Sequence, residues 1–316
     1  MATPIIAVFG ATGRQGGAVA RKLLQRGWRV RALTRRPEAP SGRALVALGA
    51  EVLRTDLGSP ETLERALGGV HGVFLVTDFW EHGHREEVRQ GTGAVNAALR
   101  ARVPHIVFSS VGGVERTTGL GIRHFDSKRA IEECLQASGI AFTIFRPVTF
   151  LENFITAWYR KAICRAGVFD FCIEPEKPFQ MVAVADVAVF VEKAFAGPNE
   201  FAGKTLELAS DRCTMLDFAR VLGEAVARPV RYRCQRPWMQ VLLAGVFVVT
   251  GSTGRYKAGP SLIAQFRWNN ASPTGGWNAD LDLLRQIHPG LTTIPEWARS
   301  IDWHAAVDGA PGIGKA

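Results

Sequence analysis

Cysteine is scarce in this chain, and its distribution excludes two classes of site. Only five of the 316 residues are cysteine, and no two of them are spaced as Cys-x-x-Cys. An odd, scattered set favours neither a disulfide framework nor a zinc site and is typical of a reducing compartment. The N-terminal residues also lack the basic segment and cleavage site of a signal peptide. The sequence therefore predicts a cytoplasmic protein without a bound metal.

Long apolar runs and dense blocks of one charge are missing as well. The longest apolar segment, residues 237–251, is shorter than the ~20 residues that a membrane-spanning helix needs. It predicts a buried helix or the wall of a substrate channel, and we expect no membrane contact. The net charge is +9, yet no run of five basic residues occurs, and the densest stretch is 228–236. This stretch predicts a basic loop or edge strand, or equally a solvated face, and we expect no nucleic-acid partner.

Apolar runs of strand length instead alternate with helical segments. Such runs are typical of parallel strands covered on both faces, and the alternation predicts an α/β fold with a doubly wound parallel sheet, the Rossmann fold. The predicted strands are 4–9, 28–34, 51–55, 72–77, 105–109 and 141–146. The predicted helices between and after them are 18–25, 60–67, 85–101, 127–137 and 150–166.

This pattern changes after Pro147, which indicates a second, smaller part of the chain. We expect a nucleotide-binding domain over residues 1–155, with 180–210 rejoining it through a helix capped by Asp186 and a strand at 205–208. Residues 156–179 and 211–307 would form a smaller, mainly helical substrate or partner lobe, and 308–316 a disordered tail.

The first strand leads into a glycine-rich turn that predicts a dinucleotide site. Gly10, Gly13 and Gly16 stand between the strand and the following helix. Glycine there allows a tight turn, close approach of a pyrophosphate and close packing of the helix on the sheet. The helix N-terminus then offers N–H groups and a partial positive charge to the phosphates.

The end of the second strand indicates which dinucleotide binds. NAD-binding units usually place an acidic residue there, whereas this chain has Thr34, Arg35 and Arg36 with no acid before Glu38. A guanidinium suits a 2′-phosphate because its planar fork donates paired, charge-assisted hydrogen bonds. We therefore predict NADP(H), with a solvated strand end as the alternative interpretation of these arginines.

Five segments together resemble a known family, the NmrA-like group of atypical short-chain dehydrogenases/reductases. They are 10–17, 34–36, 76–80, 124–128 and 146–154. The resemblance is close over about the first 155 residues and implies a Rossmann fold that binds NADP(H). That group includes reductases of quinones, triphenylmethane dyes and phenolics, and also NADP(H)-sensing regulators without turnover. The cofactor contacts that it implies are Gly10, Thr12, Gly13, Arg14, Gln15, Gly16, Thr34, Arg35, Asp56, Leu57, Thr77, Phe79, Lys128, Pro147 and Phe150.

The chain lacks the catalytic pair of conventional short-chain dehydrogenases. That pair is a tyrosine four residues before a lysine, and none of the three tyrosines here precedes a lysine in this way. His124 stands four residues before Lys128, so on one helix both would share a face. Histidine could donate a proton near neutral pH, or it could pack at the start of a helix. The resemblance implies that Lys128 binds the cofactor ribose, and in isoflavone-reductase relatives the matching lysine is the acid/base.

Two functions remain open on the sequence. The first is an NADPH-dependent reductase of a small apolar or aromatic substrate, such as a quinone, enone or carbonyl compound, bound by Ser110, Asn153, Phe154 and Trp158. The second is a non-catalytic NADP(H) sensor that binds a protein partner; a homodimer is a further option. The segment 81–87 contains two histidines and three glutamates but predicts a loop leading into a helix rather than a metal site.

Overall fold

The computed structural model describes residues 4–236 and 259–305. At its centre, parallel strands form one sheet in the order β3-β2-β1-β4-β5-β6-β10. Strand order reverses between β1 and β4, which is the Rossmann arrangement predicted from the sequence. The strands of this sheet are β1 (Ile5–Val8), β2 (Arg29–Thr34), β3 (Glu51–Arg54), β4 (Gly72–Leu75), β5 (His105–Ser109), β6 (Ala141–Pro147) and β10 (Thr205–Leu208).

Helices cover both faces of this sheet, which is why its central strands β1, β4 and β5 are mostly apolar and buried. Successive residues of β1 face opposite sides, so that Ala7 and Val8 belong to two separate hydrophobic clusters. The helices of the described residues are α1 (Arg14–Gln25), α2 (Pro40–Ala47), α3 (Pro60–Leu67), α4 (Phe79–Arg100), α5 (Arg123–Ala137), α6 (Ala157–Lys161), α7 (Val184–Ala196), α8 (Pro198–Phe201), α9 (Met215–Ala225), α10 (Gly259–Ala271), α11 (Leu281–Ile287) and α12 (Ile294–Ser300).

The remaining strands form two small sheets beside the main one. One has the order β11-β9-β7, and the other pairs β12 with β8. An aromatic cluster fills the space behind them, since Phe154, Phe169 and Phe218 contact one another through their rings. These strands are β7 (Thr149–Phe150), β8 (Val168–Phe171), β9 (Phe179–Val182), β11 (Asp211–Cys213) and β12 (Arg231–Cys234).

Three expectations about local structure are corrected. The predicted helix 150–166 is divided into a 3₁₀ segment at Leu151–Ile155, the short α6 and a π segment at Ala162–Ala166. Asp186 does not cap α7, because Ala183 holds the N-cap position and Asp186 lies in the first turn. α2 was not predicted from the sequence. The predicted buried helix 237–251 and the tail 308–316 lie outside the described residues.

The carboxyl ends of β1, β2, β4, β5 and β6 meet at one edge of the sheet, which is where ligands bind in open α/β folds. Within residues 4–236 and 259–305, no helix has the length and apolar character needed to cross a membrane. Over the same ranges, no group of three histidine, cysteine or acidic side chains is arranged to hold a metal ion.

Candidate functional site

The turn after β1 has glycine at the positions where a side chain would strain the backbone or collide with it. Gly10 has a φ of +60°, a conformation that favours glycine. A Cβ added to Gly16 would lie 2.3 Å from the carbonyl oxygen of Gly10 and 2.5 Å from that of Phe9. Gly13 is the N-cap of α1, with no side-chain cap and no acidic residue in the first turn. The turn and helix start therefore fit a pyrophosphate.

Side chains of this turn are tied to neighbouring strand ends. The hydroxyl oxygens of Thr12 and Thr34 lie 3.0 Å apart, which joins the turn to β2. Ser109 donates a hydrogen bond of 2.7 Å to the Gln15 side-chain oxygen, which joins α1 to β5. Thr12, Gln15 and Thr34, all predicted cofactor contacts, are thus brought together at one edge and held in fixed positions.

Arg35 leaves the end of β2 and pairs with a carboxylate. Its Nη1 and Nη2 donate to the two oxygens of Glu81 at 2.6 and 2.8 Å. Glu81 belongs to the first turn of α4, and the sequence offered no signal for this contact between distant positions. Nearby, Asp56 is exposed and accepts a hydrogen bond from the Gly58 N–H, while Leu57 is half-buried.

Lys128 belongs to a buried group at the carboxyl end of β4. Its Nζ lies 2.9 Å from Glu87 Oε1, 2.8 Å from Thr77 Oγ1 and 3.0 Å from the Thr77 carbonyl oxygen. Glu87 has no exposed surface and also accepts hydrogen bonds from the hydroxyls of Thr77 and Ser127. Burial would raise the pKa of Glu87, but Lys128 and these hydroxyls hold it below its usual value. The three N–H donors of Lys128 are matched by three acceptors.

The predicted helix 127–137 contains Lys128, and the structure extends it back to Arg123, so that His124 shares it. The partner Glu87 was missed, because the segment 81–87 was predicted to be a loop leading into a helix. In the structure α4 begins at Phe79, and the buried Glu87 contacts Ser127 and Lys128 on α5. A buried lysine that stays charged needs a carboxylate partner. The prediction that Lys128 is charged and close to the cofactor could therefore have prompted a search for that partner.

His124 is not arranged as a proton donor. Its Nδ1 lies 2.6 Å from Ser261 Oγ, and its Nε2 lies 2.9 Å from Gln265 Oε1, so both ring nitrogens have partners. Burial lowers its pKa to about 4, which keeps the ring neutral at physiological pH. The ring also packs against Phe79 and Trp80. These contacts favour the packing interpretation over the catalytic one.

The predicted substrate residues differ in how far they are buried. Ser110 is buried just beyond β5, and its hydroxyl has no hydrogen-bond partner among the described residues. Asn153 and Trp158 are half-buried. Phe154 is fully buried against Tyr159, Phe169, Phe171 and Phe218, so it is a core residue rather than part of an open pocket wall.

The remaining predicted cofactor residues lie at strand ends close to this edge. Thr77 and Phe79 are buried after β4, and Phe150 is half-buried in β7. The Pro147 carbonyl oxygen accepts a hydrogen bond of 2.9 Å from the Gly112 N–H. These contacts bring the loops that follow β5 and β6 together.

Glu152 caps α7 from the segment that follows β7. Its carboxylate oxygens accept from the Val184 N–H at 3.1 and 3.2 Å. Burial raises the pKa of Glu152 to about 7, against an opposing effect of Arg14.

Comparisons with known proteins point to one family. The model of the NmrA-like family matches residues 2–266. The NAD(P)H azoreductase of Xenophilus azovorans is 29% identical over 228 residues, which cover 72% of this chain and 76% of that protein.

Two solved structures share the fold. One is the NADPH-dependent quinone oxidoreductase of Escherichia coli, crystallised with NADPH, with a TM-score of 0.75 and 23% identity over 94% of this chain and 99% of that one. The other is NmrA, a negative transcriptional regulator crystallised with NADP, with a TM-score of 0.76 and 18% identity over 96% of this chain and 99% of that one.

Proposed function

This chain belongs to the NmrA-like family, and we propose that it is an NADPH-dependent reductase of a small, flat, apolar acceptor such as a quinone or an enone. The resemblance found in the sequence is thereby confirmed, as is the Rossmann fold. Support for an oxidoreductase comes from the similar azoreductase. Support for NADP(H) comes from two structural neighbours crystallised with NADPH or NADP.

The observation that carries the proposal is the ammonium group of Lys128, held by Glu87 and Thr77 at the ligand-binding edge of the sheet. Close by, the buried Ser110 hydroxyl has no partner among the described residues, as expected for a group that meets a ligand. Gly10, Gly13 and Gly16 would hold the pyrophosphate and Arg35 the 2′-phosphate. Lys128 would bind the nicotinamide ribose by exchanging one of its three present acceptors for a ribose hydroxyl. When bound, NADPH supplies a hydride to the acceptor.

The proton requirement limits the substrate class. The chain has no tyrosine four residues before a lysine, and His124 is neutral with both ring nitrogens hydrogen-bonded. A substrate whose reduced form takes protons from water needs no such donor. In this proposal Ser110 and Asn153 orient the acceptor, Trp158 packs against it, and Lys128 orients the ribose.

The second candidate is an NADP(H) sensor that binds a protein partner. The shared fold with a transcriptional regulator and the missing tyrosine favour it. In this case occupancy by the cofactor would change a protein contact without turnover, which requires different affinities for two conformations. We also propose that residues 1–155 with 180–210 form the cofactor domain and that the remaining segments form the substrate or partner lobe.

Consumption of NADPH separates the two candidates. Loss of the reduced-nicotinamide absorbance would be followed with a panel of quinones, azo dyes, enones and aldehydes, and NADPH binding would be titrated in parallel. For a reductase we expect turnover that Lys128→Ala abolishes. The matched control is Lys193→Ala on α7, which should leave the rate unchanged. Tight NADPH binding without turnover on any acceptor would contradict the reductase and favour the sensor.

A further inference from the structure

The guanidinium that is predicted to bind the 2′-phosphate already holds an anion from the chain itself. Both Nη atoms of Arg35 donate to Glu81, at 2.6 and 2.8 Å, in a two-point arrangement. The side chains are 48% and 43% exposed, so the pair lies at the protein surface, open to an incoming ligand. A phosphate and a carboxylate place two oxygens at similar spacing, so both fit the same face of an arginine.

Glu81 reaches Arg35 from a part of α4 that is separate from the main helix. Asp78 caps this first turn by accepting from the N–H groups of Trp80 and Glu81. Gly83 then interrupts the helix with a φ of +76° and a ψ of +174°. The turn that contains Glu81 can therefore shift relative to the rest of α4 without breaking the regular hydrogen bonds that follow it.

The charges around the pair are consistent with an exchange of anions. The Arg35 hydrogen bonds lower the pKa of Glu81, so the carboxylate remains charged at neutral pH. The guanidinium of Arg36 also acts on that carboxylate. A displaced Glu81 thus keeps Arg36 as a cationic neighbour, whereas a 2′-phosphate beside an undisplaced Glu81 would meet a like charge.

We propose that Glu81 occupies the 2′-phosphate position of the free protein and is displaced when NADP(H) binds, so that it sets the preference between NADPH and NADH. This rests on the proposed NADP(H) site but goes beyond it, since it assigns a specificity-determining role to a residue outside the strand-end motif. NADH, which has no 2′-phosphate, has no group that would displace Glu81.

The test compares ligands with and without a 2′-phosphate. The full chain and Glu81→Gln would be titrated by calorimetry with adenosine 2′,5′-bisphosphate, 5′-AMP, NADPH and NADH at one ionic strength. We expect Glu81→Gln to bind the bisphosphate and NADPH about three- to tenfold more tightly than the wild type. Loss of the Arg35–Glu81 ion pair accounts for up to about fivefold in affinity, and loss of the repulsion between Glu81 and the 2′-phosphate adds to it. Binding of 5′-AMP and NADH should change less than about twofold.

Two further variants make the result specific. Glu86→Gln removes the same charge from the same helix, but Glu86 pairs with Arg89 rather than Arg35, so it should leave all four affinities unchanged. In an Arg35→Ala background, Glu81→Gln should tighten NADPH less than about twofold, because the arginine for which both anions compete is gone and only the lost repulsion remains.

Several outcomes would overturn the proposal. One is that Glu81→Gln leaves the ratio of NADPH affinity to NADH affinity unchanged, whether or not both affinities rise. Another is that Glu81→Gln binds NADPH more weakly than the wild type. If the wild type binds NADPH in each of these cases, the cofactor proposal survives and only the role of Glu81 fails. If the wild type binds neither NADPH nor the bisphosphate, both proposals fail.

Discussion

At the residue scale, the charge of the buried Glu87 depends on its neighbours. It is fully buried and is balanced by Lys128, with the hydroxyls of Thr77 and Ser127 completing its hydrogen bonds. Removing one partner of a buried ion pair leaves the other charge without compensation, which costs about 3–5 kcal/mol. Replacing both partners costs much less than two such losses.

We therefore expect Glu87→Gln to lower the free energy of unfolding by about 3 kcal/mol. The double variant Glu87→Gln/Lys128→Met should lose less than the sum of the two single variants. Urea unfolding of the four proteins measures both quantities. Additive losses, or a loss below about 1 kcal/mol in Glu87→Gln, would show that the pair does not act as a unit.

Glu152 predicts a pH dependence of stability. Its pKa is raised to about 7 in the folded protein, from an ordinary value of 4.5, chiefly by burial. Between these values the folded state binds more protons than the unfolded state, so this residue's contribution to stability is lost as pH rises toward 7. Glu152→Gln should remove a decline of about 3 kcal/mol between pH 4.5 and pH 7.5, measured by urea unfolding against the wild type.

His124 makes stability change with pH in the opposite direction to Glu152, over a similar pH range. Burial lowers its pKa to about 4 from 6.5, so the unfolded state binds more protons and stability is lost as pH falls through this range. His124→Asn should therefore flatten the acid side of the stability profile, relative to the wild type. If Glu152→Gln and His124→Asn shifted the profile in the same direction, the assignment of these two groups would be wrong.

The candidate functional residues could be predicted from the sequence, but their contact partners could not. Arg35 and Lys128 could be singled out because each stands in a short motif near a recognisable strand or helix. Their partners could not, because Glu81 and Glu87 reach them only through the packing of α4 on the sheet and on α5. The same holds for His124, whose partners Ser261 and Gln265 are distant in the sequence.

At the scale of elements, the turn between β1 and α1 depends on the absence of one side chain. An alanine Cβ at Gly16 would lie 2.3 Å from the Gly10 carbonyl oxygen, and backbone cannot yield as a flexible side chain can. We expect Gly16→Ala to abolish NADPH binding, measured by calorimetry, and to destabilise the fold by about 1–3 kcal/mol.

A helix glycine provides the matched control for this substitution. Gly93 lies inside α4, and an added Cβ there would meet no atom within 4 Å. Gly93→Ala should stabilise the protein by about 0.5–1 kcal/mol, because alanine loses less backbone entropy in a helix, and NADPH binding should be unchanged. A similar effect of both substitutions on binding would contradict the special role of Gly16.

Elements with a strong periodic pattern were predicted well, and the exceptions have physical causes. The central strands β1, β4 and β5 are mostly apolar because both faces of the sheet are covered, so their positions follow from the apolar runs in the sequence. Residues 150–166 have a helical pattern, yet the chain there must wrap the aromatic cluster around Phe154, which divides the helix. Asp186 fits the sequence rule for a helix cap, but its carboxylate instead accepts tertiary hydrogen bonds from Ser210 and Thr292.

At the scale of the whole molecule, that contact joins the segment around Thr292 to α7. Asp186 accepts hydrogen bonds from the Ser210 hydroxyl and from the Thr292 N–H and hydroxyl, the latter two at 3.0 Å. His288 Nε2 lies 3.4 Å away. One buried carboxylate thus links α7, the chain after β10 and the segment between α11 and α12.

We expect Asp186→Ala to cost about 2–4 kcal/mol of stability, because several buried donors lose their acceptor together. Asp282→Ala is the comparison, since its side chain is 92% exposed, and we expect a change within about 0.5 kcal/mol. Thermal unfolding with and without NADPH would measure both. Equal effects of the two variants would argue against this linkage.

The position of β10 has a consequence for how the chain acquires its structure during synthesis. β10 completes the outer side of β6, yet it leaves the ribosome long after the strands from β1 to β6. In that interval β6 presents unpaired backbone groups to other nascent chains, which is the hazard of an open sheet edge. Because the glycine turn and Arg35 are made early, a dinucleotide that binds at this stage would stabilise the partial sheet until its last strand arrives.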